Sequence, residues 1–554
     1  MKTLSSLVAI SLVAACGGKP APAPEAPRPP EPVADPKPAP AEKPMNEPTV
    51  TQTAAPQDLQ FPNEEFRAHQ PEASAPHLFH LPKVKTFTLK NGIEVFLVEH
   101  HELPIVSMDL SFDGGGRADP KDKDGLAGVC MAMLTEGTEK LDKIQYSEAL
   151  ADTASSISAY ATDDAHGLQL SSLTKHFDST FALFVDTLRT LGMRASDFDR
   201  MIKRRIEGVK QARGNPGSVA GRVTGAVLYG AAHPFGGVTT EDGLRSFTLD
   251  ECKTYVTTWL KPKHARLFIV GDLDEASVRK HFESGPIAAW TGANPKLAPL
   301  PAPKTMKGRI FFVNIPGAAQ SQVSLMQFGP KRNAPDYYPT SMLSSVFGGG
   351  FSSRINMNLR EDKGYAYGAR GGFGYSRDYG TFTAGGGVQA NATYQTIVEI
   401  DREVKQLATN KKPVDKEELD REKTGAILAL PGRFATGQAA LGQYRNLVYY
   451  GLPLDYYDTF TDKVGKVTEV QVKAAAAHIK PNEAIYLVVG DGDAKMIVHD
   501  DHAKKDDPTD KKDPPMMKDG KQVTLREALT DLAQRGDVGA GGLVELDPDG
   551  KPVK

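Results

Sequence analysis

Two pairs of histidines have a spacing that could bring metal ligands together. His77 and His80 lie three residues apart, and so do His499 and His502, which enclose two aspartates. Imidazole nitrogens and carboxylate oxygens are common ligands of zinc and other transition metals. The first pair lies at the edge of a proline-rich segment and the second in a charged stretch, so neither has a third ligand in a rigid frame. We therefore expect solvated histidines or weak adventitious binding here, not a structural metal site.

A cysteine near the N-terminus could carry a covalent lipid. Residues 4–15 form an apolar run that is too short to span a bilayer and ends in small residues before Cys16. This pattern resembles the lipobox of bacterial lipoproteins, in which the cysteine is lipidated; the alternative is an ordinary signal peptide followed by a chance cysteine. Gly17 follows Cys16 where an aspartate would favour the inner membrane. We expect an outer-membrane lipoprotein that faces the periplasm or the cell surface.

Charge and composition exclude several classes of partner. The chain has 66 Lys and Arg residues against 69 Asp and Glu residues. This balance predicts neither nucleic-acid binding nor a polybasic membrane patch, so the lipid is the expected membrane contact. The stretch after Cys16 is rich in Pro, Ala, Glu and Lys and would act as an extended tether. Cys130 and Cys252 could pair in an exported protein, but their number does not require it.

The globular part combines strands and helices. Residues 84–89 and 93–98 are β-prone runs joined by Asn91 and Gly92, which predicts a hairpin. Residues 106–112 alternate apolar and polar side chains, which is typical of a half-buried strand. Apolar residues then recur at helical spacing within residues 177–191 and 202–209. Since strands and helices are interleaved without a strict βαβ rhythm, we predict an α+β fold.

A sequence pattern that occurs twice predicts an internal duplication. A pattern that begins Lys261-Pro262 and ends in Val-Gly-Asp recurs from Lys480-Pro481, about 220 residues later. We therefore predict two tandem homologous lobes in a clam-shell arrangement, each a mixed or antiparallel sheet covered by helices. The expected segments are a lipoprotein signal peptide (1–15), a Pro/Ala-rich linker (16–78), an N-terminal lobe (79–293), a connector (294–307), a C-terminal lobe (308–495) and a charged loop with the C-terminal tail (496–554).

The segment from residue 125 to residue 138 resembles the zinc motif of the insulinase/pitrilysin metallopeptidases, which include bacterial members similar to the mitochondrial processing peptidase. Active members read Gly-Leu-Ala-His-x-x-Glu-His-Met-Leu-x-x-Gly-Thr; the two histidines bind zinc and the glutamate activates the metal-bound water. Residues 125–127, 133–134 and 137–138 match this frame. However, Gly128 and Ala132 replace the histidines and Met131 replaces the glutamate. None of the three can bind zinc tightly or accept a proton from water.

The third zinc ligand of the family is also missing. It is a glutamate on a later helix, some eight residues before a proline, and Gly208 has this position relative to Pro216. Glu207 is adjacent, but one residue turns a helix by about 100°, so its side chain should point elsewhere. With all four chemical positions empty, the resemblance implies a pseudoenzyme without a cofactor of its own.

The second half resembles the part of the family that grips the substrate. Residues 348–354 and 359–364 match its Gly-Gly-Gly-x-Ser-Ser-Arg and Leu-Arg-Glu-x-x-Gly patterns, and Arg360 and Tyr367 have the spacing of its substrate-binding Arg and Tyr. The Arg offers a fork of donors, and the Tyr hydroxyl can stabilise an oxyanion. The alternative is that Arg360 pairs with an acidic neighbour and Tyr367 is a core residue. Residues 154–160 match the strand on which a substrate backbone adds, although a plain sheet strand fits equally.

These resemblances imply a non-catalytic subunit that pairs with an active, zinc-bearing homologue and helps to process peptides in the cell envelope. In that heterodimer only the partner would bind zinc. The alternative is a scaffold or assembly protein of the envelope without a proteolytic role, since the fold is also used for assembly alone. An autonomous metalloendopeptidase with an unforeseen metal site is the least favoured hypothesis, because clustered ligands are lacking.

Overall fold

The structure is a computed structural model that describes residues 81–499, 513–539 and 541–553. Within these ranges no helix has the length and apolar character needed to cross a lipid bilayer. The signal peptide (1–15) and the linker (16–78) lie outside them. Among the residues discussed above, Cys16, Gly17, His77, His80 and His502 therefore lie outside the described residues.

The first half of the chain builds a six-stranded sheet. Its spatial order is β1-β2-β6-β3-β5-β4, in which β2 and β6 are parallel and all other neighbours are antiparallel. The strands are β1 (Lys85–Thr88), β2 (Glu94–Glu99), β3 (Ile105–Asp113), β4 (Ser156–Ala161), β5 (Ala165–Leu173) and β6 (Arg266–Gly271). The predicted hairpin is β1–β2, and its turn needs Gly92 because φ is +91° there.

Nine helices accompany the first sheet in the described residues. They are α1 (Leu126–Met133), α2 (Lys143–Asp152), α3 (Phe177–Arg189), α4 (Ala195–Ala212), α5 (Pro216–Tyr229), α6 (Glu241–Arg245), α7 (Leu249–Trp259), α8 (Glu275–Phe282) and α9 (Gly285–Ala288). The apolar periodicity of α3 buries Phe177, Phe181, Phe184 and Leu188 in the core of this half. Helix α1, which carries the degenerate zinc motif, packs against α7, α4 and β4.

The second half repeats this sheet. Its order is β14-β7-β11-β8-β10-β9, in which β7, β11, β8, β10 and β9 correspond to β2, β6, β3, β5 and β4, and β11 follows the second Lys-Pro segment as β6 follows the first. The sixth strand differs, because β14 comes from the C-terminus and is parallel to β7, whereas β1 is antiparallel to β2. The strands are β7 (Ile310–Asn314), β8 (Gln320–Gly329), β9 (Arg370–Tyr375), β10 (Gly380–Gln389), β11 (Ile485–Gly490) and β14 (Leu543–Leu546). A short separate hairpin consists of β12 (Met517–Lys518) and β13 (Lys521–Gln522). The predicted α+β fold with two homologous lobes is therefore confirmed.

The second half contains eight α-helices and two π-helical turns in the described residues. The helices are α10 (Tyr337–Ser344), α11 (Arg354–Asn356), α12 (Thr393–Ala408), α13 (Lys416–Leu428), α14 (Gly437–Tyr450), α15 (Phe460–Gly465), α16 (Glu469–Ala475) and α17 (Leu525–Arg535). The π-helical turns span Ser345–Gly349 and Met357–Asp362. Single π-helical turns interrupt helices most often at functional sites, and the second one contains Arg360.

Each lobe contributes one helix that packs on the sheet of the other lobe. From the first half, α5 packs on β8 and β11 of the second sheet, where Val219, Val223 and Val227 join its core. From the second half, α14 packs on β3 and β6 of the first sheet. The expectation that β3 is half-buried is therefore wrong: Ser107, Asp109 and Ser111 are also buried, because α14 covers the face on which they lie.

Polar contacts reinforce this packing. The buried carboxylate of Asp109 on β3 accepts hydrogen bonds from Tyr160 at 3.0 Å, from Gln169 at 3.0 Å and from Arg445 of α14 at 2.8 Å. At the C-terminus, Asp549 follows β14 and pairs with Arg213 and Arg222 of the first half. The tail thus joins the second sheet and also contacts the end of α4 and α5.

Candidate functional site

Helix α1 begins at a glycine and is held by a buried carboxylate. Gly125 has φ +95°, and the carboxylate of Asp119 accepts the backbone N–H groups of Gly125 at 2.9 Å and Ala127 at 2.7 Å. Burial nevertheless raises the pKa of the Asp119 carboxyl group to about 7, although the hydrogen bonds from these backbone amides lower it. Six of the eight helix residues are buried; the other two are Gly128 and Ala132, which lie one turn apart on the same face.

The position of the catalytic glutamate has become part of the core. Met131 has no exposed surface and packs among the apolar residues of the first lobe. Its neighbour Cys130 forms a disulfide with Cys252 of α7, and both cysteines are fully buried. The pairing that the sequence left open is therefore present, and it links α1 covalently to α7.

An arginine occupies the space in front of the first lost histidine position. Arg205 of α4 donates from Nη2 to the backbone oxygen of Gly128 at 2.8 Å. Its Nη1 lies 3.9 Å from the point where a Cβ on residue 128 would be. A side chain at residue 128 would therefore begin in contact with the guanidinium. One feature of the sequence could have indicated this contact: Arg205 precedes Gly208 by three residues, so both lie on one face of α4.

The position of the third ligand carries no donor. Gly208 is exposed, and no atom lies within 4 Å of the place a Cβ would take. The side chain of Glu207 is 61% exposed and pairs with Lys210 at 2.7 Å. Glycine, methionine and alanine at these four positions offer neither imidazole nor carboxylate, so the residues present do not fit a catalytic zinc ion.

A cleft of about 240 Å³ runs between the start of α1 and the end of β4. Gly125, Ala127 and Gly128 form part of one wall, and residues 161–163 form part of another. Asp124 and Asp163 also line it, and burial together with a neighbouring carboxylate raises the pKa of each. Strand β4 lies at the edge of the first sheet, and in the described part of the chain it pairs with β5 alone. Its outer edge can therefore accept an added strand.

Arg360 and Tyr367 lie together in the second lobe. The guanidinium carbon of Arg360 lies 5.0 Å from the ring centre of Tyr367 and 4.9 Å from that of Phe351. Arg360 Nε also pairs with Glu361 at 3.1 Å, the acidic neighbour that the structural alternative invoked. The other part of that alternative fails, because Tyr367 is 88% exposed rather than a core residue. The two side chains are thus available to a ligand.

Two residues that the sequence did not single out support this arrangement. Phe351 is 56% exposed and stacks on Arg360 from the glycine-rich loop. Asn356 donates to the backbone oxygen of Phe351 at 2.7 Å and accepts from the backbone N–H of Ala369 at 3.1 Å. It thereby joins the segments on both sides of the π-helical turn. Neither residue had a signal beyond its place inside the motif.

The described residues contain no group of three or more His, Cys, Asp or Glu side chains that could bind a metal ion. His499 is buried and contacts Asp513 at 2.9 Å, and Tyr365 donates to the same carboxylate at 2.6 Å. Its predicted companion His502 lies outside the described residues. His499 and Asp513 thus form a polar cluster with Tyr365, which lies between Arg360 and Tyr367 in the chain.

The chain matches two family models. Residues 94–223 match the model described as insulinase (peptidase family M16), and residues 246–426 match the one described as peptidase M16 inactive domain. Together the two matches cover more than half of the chain. The first contains α1 and α4 with the four degenerate positions, and the second contains Arg360 and Tyr367.

Relatives and solved structures agree with these matches. The chain is 22% identical to a Helicobacter pylori protein named non-peptidase homolog YmxG, over 72% of this chain and 91% of that protein. It is 24% identical to the zinc protease PqqE of the same organism, over 62% of this chain and 79% of the protease. A structure of a peptidase M16 inactive domain from Pseudomonas fluorescens has a TM-score of 0.68 at 24% identity and covers 74% of this chain and 98% of its own. The matches and the empty ligand positions place this chain in the insulinase family, peptidase family M16, as a member with a degenerate zinc motif.

Proposed function

We propose that this chain is the non-catalytic subunit of a heterodimeric peptidase and binds peptides for a zinc-bearing homologue. The proposal rests on the difference between the zinc-motif positions of the first lobe and the Arg360–Tyr367 pair of the second lobe. The four positions for zinc chemistry have no metal donor, whereas Arg360 and Tyr367 form an exposed, stacked pair. Because Tyr367 is 88% exposed, its side chain contributes little to the core and is free to contact a ligand. In this proposal zinc is bound only by the partner.

The relatives are compatible with such a division of labour. Helicobacter pylori has both a protein named as a non-peptidase homologue and one named as a zinc protease, and this chain is similar to each. We propose that this chain pairs with a zinc-bearing homologue, with a peptide lying along the outer edge of β4 and reaching Arg360 and Tyr367 across the chamber of the complex.

The cell envelope is the proposed location. The buried disulfide between Cys130 and Cys252 supports it, because such bonds persist mainly in oxidising compartments. We propose that a lipid on Cys16 anchors the chain to the outer membrane through the Pro/Ala-rich linker.

Reconstitution with a second chain tests the function. The partner is an exported homologue from the same organism with an intact His-x-x-Glu-His motif, and the substrate is an unfolded peptide. The Tyr367→Phe variant should lower the turnover of the pair about 10²–10³-fold, as expected for one lost oxyanion donor. Arg360→Ala should act mainly on KM.

Met357→Ala is the matched control, since Met357 is 43% exposed on the same π-helical turn and is apolar. It should leave turnover unchanged, and all variants should keep the zinc content of the pair, its affinity and its melting temperature. Full turnover of the Tyr367→Phe pair, or two chains that do not associate, would contradict the proposal.

An envelope scaffold without a proteolytic role is the second candidate. It is favoured by the way the former catalytic position joins the core through Met131 and the adjacent disulfide. Purification of the chain from native membranes separates the two candidates: a zinc-bearing homologue at equal stoichiometry supports the peptidase, and envelope machinery without one supports the scaffold.

A further inference from the structure

In the described part of the chain, Arg205 is a cation without an anionic partner. Within the described residues its side chain makes one hydrogen bond, to the backbone oxygen of Gly128, and no carboxylate lies within ion-pair distance. The neighbouring arginines of α4 differ in this respect: Arg200 pairs with Glu136 at 2.6 Å and Arg204 approaches the same residue at 3.9 Å. A guanidinium has five N–H donors, so Arg205 has several left for a ligand.

The environment of Arg205 favours the arrival of an anion. The side chain is half-buried, and burial lowers its pKa, with Arg204 adding to this effect. A cation removed from water without a counter-charge raises the free energy of the folded chain, and an incoming carboxylate would offset that cost. Arginine binds carboxylates well because its two parallel N–H groups match the two oxygens.

The position of Arg205 also fits a peptide ligand. It contacts Gly128, which belongs to the wall of the cleft between α1 and the end of β4. Helix α1 packs against β4, whose outer edge is free to pair with an extended segment. A peptide that adds to this edge would therefore pass close to the position from which the zinc ligands have been lost.

We propose that Arg205 is a recognition site for an acidic side chain of the bound peptide, so that a guanidinium stands beside Gly128, the first of the lost ligand positions. The inference rests on the proposed peptide binding and adds the class of ligand: an extended segment with Asp or Glu. The peptide is held at this point without hydrolysis, since a guanidinium supplies neither a bound water nor a base.

Binding of two matched peptide pools to the full chain tests this inference. Both pools consist of fluorescein-labelled, unstructured ten-residue peptides; one contains Asp and Glu, and the other has Asn and Gln at the same positions. Fluorescence anisotropy should show about tenfold tighter binding of the acidic pool, the effect expected of a charge-assisted hydrogen bond. Arg205→Gln should abolish that preference. Arg204→Gln, the matched control, removes an equal charge from the adjacent residue and should keep it.

Each other outcome is informative. An unchanged preference in folded Arg205→Gln protein, judged by its melting temperature, would overturn the inference. Equal binding of both pools by the unaltered chain would also overturn it. So would tighter binding of a third pool that contains Lys, which Asp124 and Asp163 would attract. In both cases the proposed peptide binding itself would stand. If no pool binds, the proposed function fails as well.

Discussion

At the scale of single residues, the zinc site has been replaced rather than merely emptied. Gly128 and Ala132 are the two partly exposed residues of α1, Met131 lies in the core, and Arg205 lies beside Gly128. A cation at this place opposes a second cation. Restoring the ligands alone should therefore not restore the metal.

We predict that Arg205 prevents zinc binding even when the three ligands are restored. A variant with Gly128→His, Ala132→His and Gly208→Glu should bind no stoichiometric zinc while Arg205 is present. Adding Arg205→Ala should remove both the steric and the electrostatic obstacle and allow one zinc per chain. Metal analysis after dialysis, with Arg204→Ala in place of Arg205→Ala as control, measures this. One tightly bound zinc in the variant that retains Arg205 would show that the arginine is no obstacle.

At the scale of elements, α1 keeps its place without a metal. A zinc site would hold α1 and α4 together through three ligands; in this chain the disulfide fixes α1 to α7, Asp119 holds its first turn and Arg205 links it to α4. The disulfide closes a long loop, since 122 residues separate the two cysteines.

Removal of that disulfide gives the element-scale prediction. The double variant Cys130→Ala, Cys252→Ala should lose about 2–5 kcal/mol of unfolding free energy, the usual effect of a native disulfide in a small domain. Chemical denaturation of the folded protein measures it, with reduced wild type as the matched reference. A denaturation midpoint equal to that of the oxidised protein would mean that α1 is fixed by packing alone.

The same elements show how far the sequence could predict the fold. Local patterns predicted the β1–β2 hairpin and α3, because each depends on neighbouring residues. The burial of both faces of β3 could not be predicted, since the covering helix α14 comes more than 300 residues later in the chain. The motif predicted Gly128, Met131 and Ala132 as the degenerate positions, whereas the roles of Arg205 and Phe351 depend on contacts between segments.

At the scale of the whole molecule, the two lobes are one unit. Each sheet is covered on one face by a helix of the other half, and Asp109–Arg445 and Asp549–Arg222 join the halves at separate places. The free edges of β4 and β9 lie at equivalent positions of the two sheets. The partner that we propose would meet a preformed surface on this chain, as expected of a subunit that positions peptides and does not perform the chemistry.

We propose that this surface binds peptides without a metal ion in this chain. The most direct measurement is the zinc content of tag-free protein purified alone, together with its cleavage of an unfolded peptide. We predict far less than one zinc per chain and no cleavage that a chelator abolishes. One tightly bound zinc per chain, with chelator-sensitive peptidase activity that co-elutes with the protein, would contradict the account.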